Sequence, residues 1–212
     1  MALTQERILS TALSLLSEYG LGDLSMRRVA SELGVAPGAL YYHVKNKQEL
    51  LTLLAERMLA SPERIEEPSG PLDPAETVEA VVALARTARE AIVPYPDGAD
   101  VVGVAMAAHP ESIRSFVEVR RCLKAAGLDE RHADWGARTV LYSVLGFVSA
   151  EHNRARLTSP GPRGGGAEGD GASVAGFEAE ACEFGVRAAV DGLLRSTKLS
   201  PPGSGSEPHY ND

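Results

Sequence analysis

Two tyrosines, a histidine and two lysines lie within seven residues of one another, and their side chains are suited to contact a polyanion. These residues are Tyr41, Tyr42, His43, Lys45 and Lys47. Three consecutive aromatic side chains cannot all be buried on one narrow helix, so some of them must be exposed for another reason. Lysine neutralises phosphate, and tyrosine can contact a phosphate or the methyl group of thymine. The segment therefore predicts a contact surface for DNA.

The residues just before this segment have the pattern of a helix-turn-helix. Ala30 is small enough for two helices to cross, and Gly34 can adopt the left-handed conformation of a tight turn. The apolar positions that would hold the second helix are Val29, Leu33, Val35, Leu40 and Val44. Such a helix can enter a major groove about 12 Å wide. An ordinary helical hairpin is the structural alternative, and it leaves the exposed aromatic residues unexplained.

The whole chain has the periodicity and the caps of helices, and no segment has a convincing strand pattern. Thr4, Ser25 and Asp73 are good N-caps, and Asn46 with Glu49 resembles a capping box. The predicted helices cover residues 4–20, 25–34, 37–44, 46–58, 73–94, 109–127, 129–156 and 173–197, and a short segment spans residues 97–108. These helices predict an all-α fold. We expect a linker over 61–72, a mobile glycine-rich loop over 158–171 and a disordered tail over 198–212.

Charge is distributed unevenly along the 212 residues. Residues 1–60 hold six basic and six acidic side chains, so the remaining 15 basic and 23 acidic side chains carry the whole net charge of −8. A neutral domain can bind DNA if its cations lie on one face, whereas the acidic remainder is poorly suited to contact DNA.

Several other classes of function have no support in the sequence. No apolar stretch approaches the roughly 18 residues of a membrane-spanning helix, so we expect a cytoplasmic protein without membrane contact. Cys122 and Cys182 have no Cys-x-x-Cys spacing and are expected to be buried free thiols. His109, His132 and His152 are expected to be helix caps or surface groups. Since catalytic and phosphate-binding motifs are also absent, we predict no enzyme activity, no cofactor and no metal site.

The block from Thr4 to about Leu59 resembles the DNA-binding domain of the TetR (tetracycline repressor) family of bacterial transcriptional regulators. The similarity is strongest over residues 40–47, LYYHVKNK. The resemblance implies a homodimer with a helix-turn-helix DNA-binding domain at residues 1–60. It also implies a larger helical domain at 73–197 that binds a small-molecule effector and forms the dimer. The resemblance therefore implies a ligand-responsive repressor of transcription that its small-molecule effector releases from a palindromic DNA operator.

The resemblance also implies which residues contact DNA. Arg27 matches an arginine that contacts base and phosphate in the tetracycline repressors. Where those repressors read their operator with polar side chains, this chain has Met26, Pro37, Gly38 and Ala39, so its operator is expected to differ. The predicted DNA-binding residues are Arg27, Pro37, Gly38, Ala39, Tyr41, Tyr42, His43 and Lys47. Tyr41 could instead pack inward, and Lys45 could simply be solvated.

In the larger domain, the residues 97–99 and 145–148 resemble the tetracycline repressors again. When the sequences are aligned on these two segments, Val102 and Ala150 fall at positions where the tetracycline repressors have a histidine and a glutamate. In those repressors the two residues hold the magnesium-chelated drug. Glu151 is one residue away, about 100° around a helix, and would point elsewhere. Neither valine nor alanine can donate to a hard cation, so magnesium-tetracycline is not the expected effector. The repressor positions that contact the drug's other polar groups align, less directly, with Glu63, Leu84 and Ala88 of this chain.

A pocket for a different effector is predicted among the same helices. Its candidate residues are Leu84, Ala88, Val102, Met106, Phe116, Val119, Arg120, Ala137, Arg138 and Leu141. Arg120 or Arg138 could meet an anion or a carbonyl. The alternative is that the apolar members are plain core.

Small and aliphatic residues on the helices at 129–156 and 173–197 predict the dimer interface, with two helices from each subunit. The alternative function is a helical interaction scaffold or an enzyme in which the helix-turn-helix is incidental.

Overall fold

The computed structural model describes residues 2–60, 70–158 and 171–196, and every regular element in these ranges is helical. The α-helices are α1 Gln5–Asp23, α2 Met26–Leu33, α3 Pro37–Leu40, α4 Lys47–Met58, α5 Pro74–Ile92, α6 Gly98–Ala108, α7 Arg114–Ala125, α8 Glu130–Thr158 and α9 Gly171–Ser196. A short 3₁₀ helix, Pro110–Ser112, lies between α6 and α7. The predicted all-α fold is confirmed. The predicted tail, most of the linker and most of the glycine-rich loop lie outside the described residues.

The predicted capping residues begin their helices as expected. The Thr4 and Ser25 hydroxyls accept the backbone N–H groups of Arg7 and Arg28 at 3.3 and 3.2 Å. Asp73 forms a complete capping box: its carboxylate accepts the Glu76 N–H at 2.8 Å, and the Glu76 carboxylate accepts the Asp73 N–H at 3.0 Å. These bonds satisfy N–H groups that the first turn of a helix leaves without partners.

Three details differ from the predicted boundaries. The chain continues to Asp23 as α1, although Gly20, at φ 75°, interrupts its regular geometry. The predicted 37–44 helix is α-helical only from Pro37 to Leu40, and residues 41–43 continue as turns in which the N–H groups of His43 and Val44 both donate to the Leu40 carbonyl at 2.9 Å. Asn46 accepts the Glu49 N–H at 2.8 Å as predicted, but the Glu49 carboxylate accepts the N–H of Lys45 at 2.5 Å instead of that of Asn46, so only half of the expected capping box forms.

The N-terminal helices, α1–α4, pack around fully buried residues from each helix, among them Ile8, Val29, Leu40 and Leu50. The C-terminal helices, α5–α9, pack around a second group that includes Phe116 and Leu141. The two groups are joined where α4 packs against α6. One continuous core therefore supports both parts of the described chain.

The Asp97 carboxylate connects the end of α1 to the C-terminal helices through a hydrogen bond and an ion pair. Asp97, which precedes α6 at φ 58°, accepts the backbone N–H of Leu21 at 2.9 Å and pairs with the Arg156 guanidinium near the end of α8. A Cβ added to Gly20 would lie 2.8 Å from the Asp97 Oδ2 atom. The positive φ of Gly20 and this close approach both require glycine.

The helices in the described ranges are too short or too polar to cross a lipid bilayer.

Candidate nucleic-acid interface

The turn between α2 and α3 holds the short helix α3 against α2. Gly34 adopts the left-handed conformation, with φ 67° and ψ 32°, and the Val35 N–H donates to the Ala30 carbonyl at 3.0 Å. Leu40 and Val44 are fully buried on the inner side of the second segment. The apolar positions that predicted a helix-turn-helix thus form its internal contacts, and the opposite side of α3 faces outward.

The aromatic residues that follow α3 are directed to the surface. Tyr42 is 93% exposed and Tyr41 is 51% exposed, whereas His43 is half-buried. The alternative in which Tyr41 packs inward is therefore wrong. Two large exposed rings on a short segment form a surface suited to binding rather than to the core.

Three exposed cations of the N-terminal helices and the α3–α4 connection are free to meet an anion. Arg27, Lys45 and Lys47 are exposed, and none of them forms an ion pair with another residue in the described ranges. At the far end of the N-terminal helices, Arg57 is instead paired with Glu6 at 2.6 Å. Two of these unpaired cations, Lys45 and Lys47, follow Tyr41 and Tyr42 within six residues of the chain.

The beginning of α2 corrects one interpretation from the sequence. Met26, which we expected at a position that reads DNA, is only 7% exposed and belongs to the core. Its burial follows from its place directly after the Ser25 cap, where the first turn of α2 packs inward beside buried Leu24. Pro37 and Gly38 are exposed and Ala39 is half-buried, so these three remain candidates for DNA contact.

The predicted effector residues meet within the C-terminal helices, but most are closely packed. The apolar members are all buried: Leu84, Ala88, Val102, Met106, Phe116, Val119, Ala137 and Leu141. The Arg120 and Arg138 guanidinium carbons lie 5.6 and 5.5 Å from the centre of the Phe116 ring. Their burial is equally compatible with plain core, so the effector pocket stays a prediction.

The two arginines already have acidic neighbours. Arg138 donates to the Asp134 carboxylate at 2.8 Å, and this hydrogen bond raises the pKa of Arg138. Arg120 lies 3.9 Å from both Asp134 and Glu130. An anionic effector at this place would have to compete with these carboxylates.

The positions that align with magnesium ligands have no suitable donors. Val102 is fully buried, and the neighbouring carboxylate of Glu151 is engaged by Arg89 in a mostly buried ion pair. Glu63, a less direct alignment, lies outside the described residues. In the described ranges, no three His, Cys, Asp or Glu side chains are grouped closely enough to hold a metal ion.

The histidines have the structural roles predicted for them. His132 lies in the first turn of α8, where its backbone N–H and ring Nδ1 contact the Asp129 carboxylate at 2.9 and 2.8 Å. These contacts, the backbone one first, lower the pKa of Asp129. His152 donates from Nε2 to the Val93 carbonyl at 2.9 Å, and His109 forms the C-cap of α6.

Both cysteines are buried free thiols, as predicted. Burial is the main reason that the pKa values of Cys122 and Cys182 are raised, so neither is activated as a nucleophile.

An open apolar cleft lies between α8 and α9 on the outer side of the C-terminal helices. It has a volume of about 440 Å³ and is lined by Trp135, Gly136, Thr139, Val140, Ala189, Val190 and Leu193. Trp135, its largest residue, is 52% exposed. Gly136 lets α8 approach its neighbours closely, since an added Cβ would lie 2.5 Å from Leu193 and 2.6 Å from Leu123.

Comparisons with known proteins agree with this geometry. Residues 8–54 match the family described as bacterial regulatory proteins, tetR family. The chain is 32% identical over 199 residues to the tetracycline repressor protein class A from transposon 1721 of Escherichia coli, a match that covers 89% of each protein. Among solved structures, it resembles BioQ bound to its natural double-stranded DNA operator, with 30% identity, a TM-score of 0.69 and coverage of 91% of this chain and 99% of BioQ. It also resembles ActR of Streptomyces coelicolor in complex with (S)-DNPA, with 26% identity, a TM-score of 0.66 and coverage of 92% and 100%.

Proposed function

Because the chain belongs to the TetR family of bacterial regulatory proteins, we propose that it is a homodimeric, ligand-responsive repressor of transcription. Its operator is a palindromic DNA duplex, and its effector is a small molecule other than magnesium-tetracycline. In this proposal residues 1–60 bind DNA, and residues 73–197 bind the effector and form the dimer. The protein acts in the cytoplasm and has no enzymatic role.

The observation that carries this proposal is the exposed group of Tyr41, Tyr42, Lys45 and Lys47 beside a buried helix-turn-helix. An interaction scaffold needs apolar or mixed surface, but it does not need free cations beside aromatic rings on this motif. DNA offers phosphates for the lysines and base edges for α3. We assign direct contacts to Arg27, Pro37, Gly38, Ala39, Tyr41, Tyr42, His43 and Lys47.

The α8–α9 cleft supports the proposed dimer. Its lining is mainly apolar, and an exposed tryptophan beside small residues is typical of a surface that another helix covers. In a two-fold dimer the same cleft of each subunit would receive the partner's helices. The two DNA-binding domains would then lie on one side of a duplex, with half-sites about one helical turn or more apart.

The Asp97 contacts support a route from the effector to the DNA-binding domain. Asp97 joins Leu21 of α1 to Arg156 of α8, and Val102 of the proposed pocket lies on the helix that Asp97 precedes. An effector that binds one arrangement of α6 and α8 more tightly would shift the angle of α1 and the spacing of the two α3 helices. DNA would then be released.

A gel-shift experiment with the protein's own upstream DNA tests the proposed function. We expect specific retention that weakens as salt is raised, because phosphate contacts release counterions. Tyr42→Ala and Lys47→Ala should each weaken retention while leaving the dimer intact. Lys124→Ala is the control for loss of a positive charge, since it removes the same charge from the end of α7, where Lys124 is paired with Glu130. If Tyr42→Ala and Lys47→Ala both bind DNA as the unaltered protein does, the DNA-binding surface is misassigned.

An interaction scaffold or an enzyme predicts a different result. It would show no specific, salt-sensitive retention, either with the upstream DNA or with duplexes selected from random sequence. Effector control is tested separately by titrating small molecules while recording the fluorescence of Trp135, the single tryptophan of the chain.

A further inference from the structure

The exposed start of α3 contains two residues that are unfavourable for a helix, and no contact within the protein requires either of them. Ala36 occupies the N-cap and provides no side-chain hydrogen bond. Gly38 lies inside the helix, and glycine is among the least favourable residues there. Yet Gly38 does not have a positive φ, and a Cβ added to it would meet no protein atom within 4 Å. The fold alone therefore does not require glycine at this position.

The same turn also has few hydrogen-bonding groups to offer a ligand. The residues 35–40, VAPGAL, have no side-chain donor or acceptor. Pro37 lacks a backbone N–H, and the Ala39 N–H already donates to the Ala36 carbonyl at 2.9 Å. The side chains of this turn therefore cannot bind a phosphate, and only backbone groups such as the Gly38 N–H remain as donors there. The cations that could bind phosphate lie elsewhere, at Arg27, Lys45 and Lys47.

A small, smooth, apolar surface on the outer side of a DNA-binding helix fits one feature of the major groove. The C5-methyl group of thymine is the apolar group that unmodified base pairs present there, and alanine is one of the residues that contact it. Glycine at position 38 lets the helix backbone approach the base pair closely, which a side chain would prevent.

On this basis, which rests on the proposed function, we propose that Gly38 and Ala39 determine specificity by reading a pyrimidine C5-methyl group in each half-site. Gly38 provides the space for the methyl group, and Ala39 with Pro37 provides its apolar contacts. Thymine is the natural source of this group, and 5-methylcytosine has the same chemistry. The hydrogen-bonded part of the recognition then falls to Arg27 and to the residues after Leu40.

The test uses a duplex that the full-length protein selects from random DNA. Each thymine is replaced by uracil, symmetrically in both half-sites, which removes the methyl group and keeps the base pairing. We expect a loss of affinity of about fourfold per half-site at one or two adjacent positions, the effect of one buried methyl group. Restoring a methyl group at the sensitive step with a 5-methylcytosine–guanine pair should bind better than the unmethylated cytosine–guanine pair.

The Gly38→Ala variant tests the same contact from the protein side. It should raise the melting temperature, because alanine favours a helix, and lower affinity for the thymine duplex by about tenfold. The loss should be smaller on the uracil duplex, because the new Cβ then has the space of the missing methyl group. Gly103→Ala is the matched control: Gly103 lies inside α6, and an added Cβ there also meets nothing within 4 Å. It should raise the melting temperature without changing DNA affinity.

The outcomes separate this inference from the proposed function. Specific binding with no sensitive thymine, or equal Gly38→Ala penalties on the two duplexes, would overturn methyl reading and leave the DNA-binding regulator standing. Failure to select or retain any duplex would overturn both.

Discussion

Asp97→Asn should loosen the contact between α1 and the C-terminal helices. Asparagine has nearly the same shape and tolerates the left-handed conformation that Asp97 adopts at φ 58°. The substitution therefore removes charge and little else. The affected contacts are the 2.9 Å bond from the Leu21 N–H and the pair with Arg156.

The magnitude follows from the exposure of these groups. A hydrogen bond to a charged acceptor contributes about 1 kcal/mol more than a neutral one. The Asp97 side chain is 20% exposed, but that of Arg156 is 56% exposed, so solvent screening limits the ion pair to at most about 1 kcal/mol. We therefore expect Asp97→Asn to lower the free energy of unfolding by about 1–2 kcal/mol at pH 7.

The effect should also depend on pH with a defined sign. The Leu21 N–H first, and then Arg156, lower the pKa of Asp97 in the folded protein. A lowered folded-state pKa gives stability that is present above the unfolded value, about 3.9, and is lost as pH falls through the folded value. The difference between the unaltered protein and Asp97→Asn should thus be constant near neutral pH and shrink in acid.

Urea denaturation at one fixed protein concentration measures this difference, because dimer stability depends on concentration. Asp100→Asn is the control, since Asp100 is exposed in the first turn of α6 and forms no ion pair with the described residues. Equal stability of Asp97→Asn and the unaltered protein at pH 7, or a difference that grows in acid, would refute the assigned role of Asp97.

Two further substitutions test the packing of the C-terminal helices. Gly136→Ala should lower the free energy of unfolding by about 1–3 kcal/mol, because its Cβ would lie within 2.6 Å of Leu193 and Leu123. Thermal denaturation measures this loss. Gly192→Ala is the control: its Cβ would have open space, so it should not destabilise the protein. Ala189→Asp places a charge in the α8–α9 cleft and should shift the dimer towards monomer in sedimentation experiments. Ala188→Asp, one residue away and exposed beside α5, should leave the dimer intact, and equal behaviour of the two variants would contradict the proposed interface.

The sequence predicted the helices well where local chemistry determines them. Ser25, Gly34 and Asp73 act through hydrogen bonds or backbone conformation within a few residues, so their roles are visible in the sequence. The break at Gly20 was predicted, but the continuation of α1 to Asp23 was not. The contact that holds this end of α1 is not visible locally, because Asp97 is 76 positions away from Leu21.

In the candidate DNA-binding site, too, some features could be predicted from neighbouring residues and others depend on contacts distant in the sequence. The exposure of Tyr42 follows from the neighbouring Leu40 and Val44, which must face inward. The burial of Met26 depends on how α2 packs on its neighbours, and a methionine at an exposed or buried position looks the same in the sequence. The pairing of Glu151 with Arg89 joins α8 to α5 and likewise has no local signal.

The most direct test of the central claim is selection of DNA from random duplexes by the full-length protein, followed by measurement of affinity against salt concentration. We predict enrichment of one palindromic sequence, bound by one dimer, with an affinity that falls steeply as salt increases. Recovery of no enriched sequence, or binding that is insensitive to salt, would contradict a regulator that binds DNA through Tyr41, Tyr42 and Lys47.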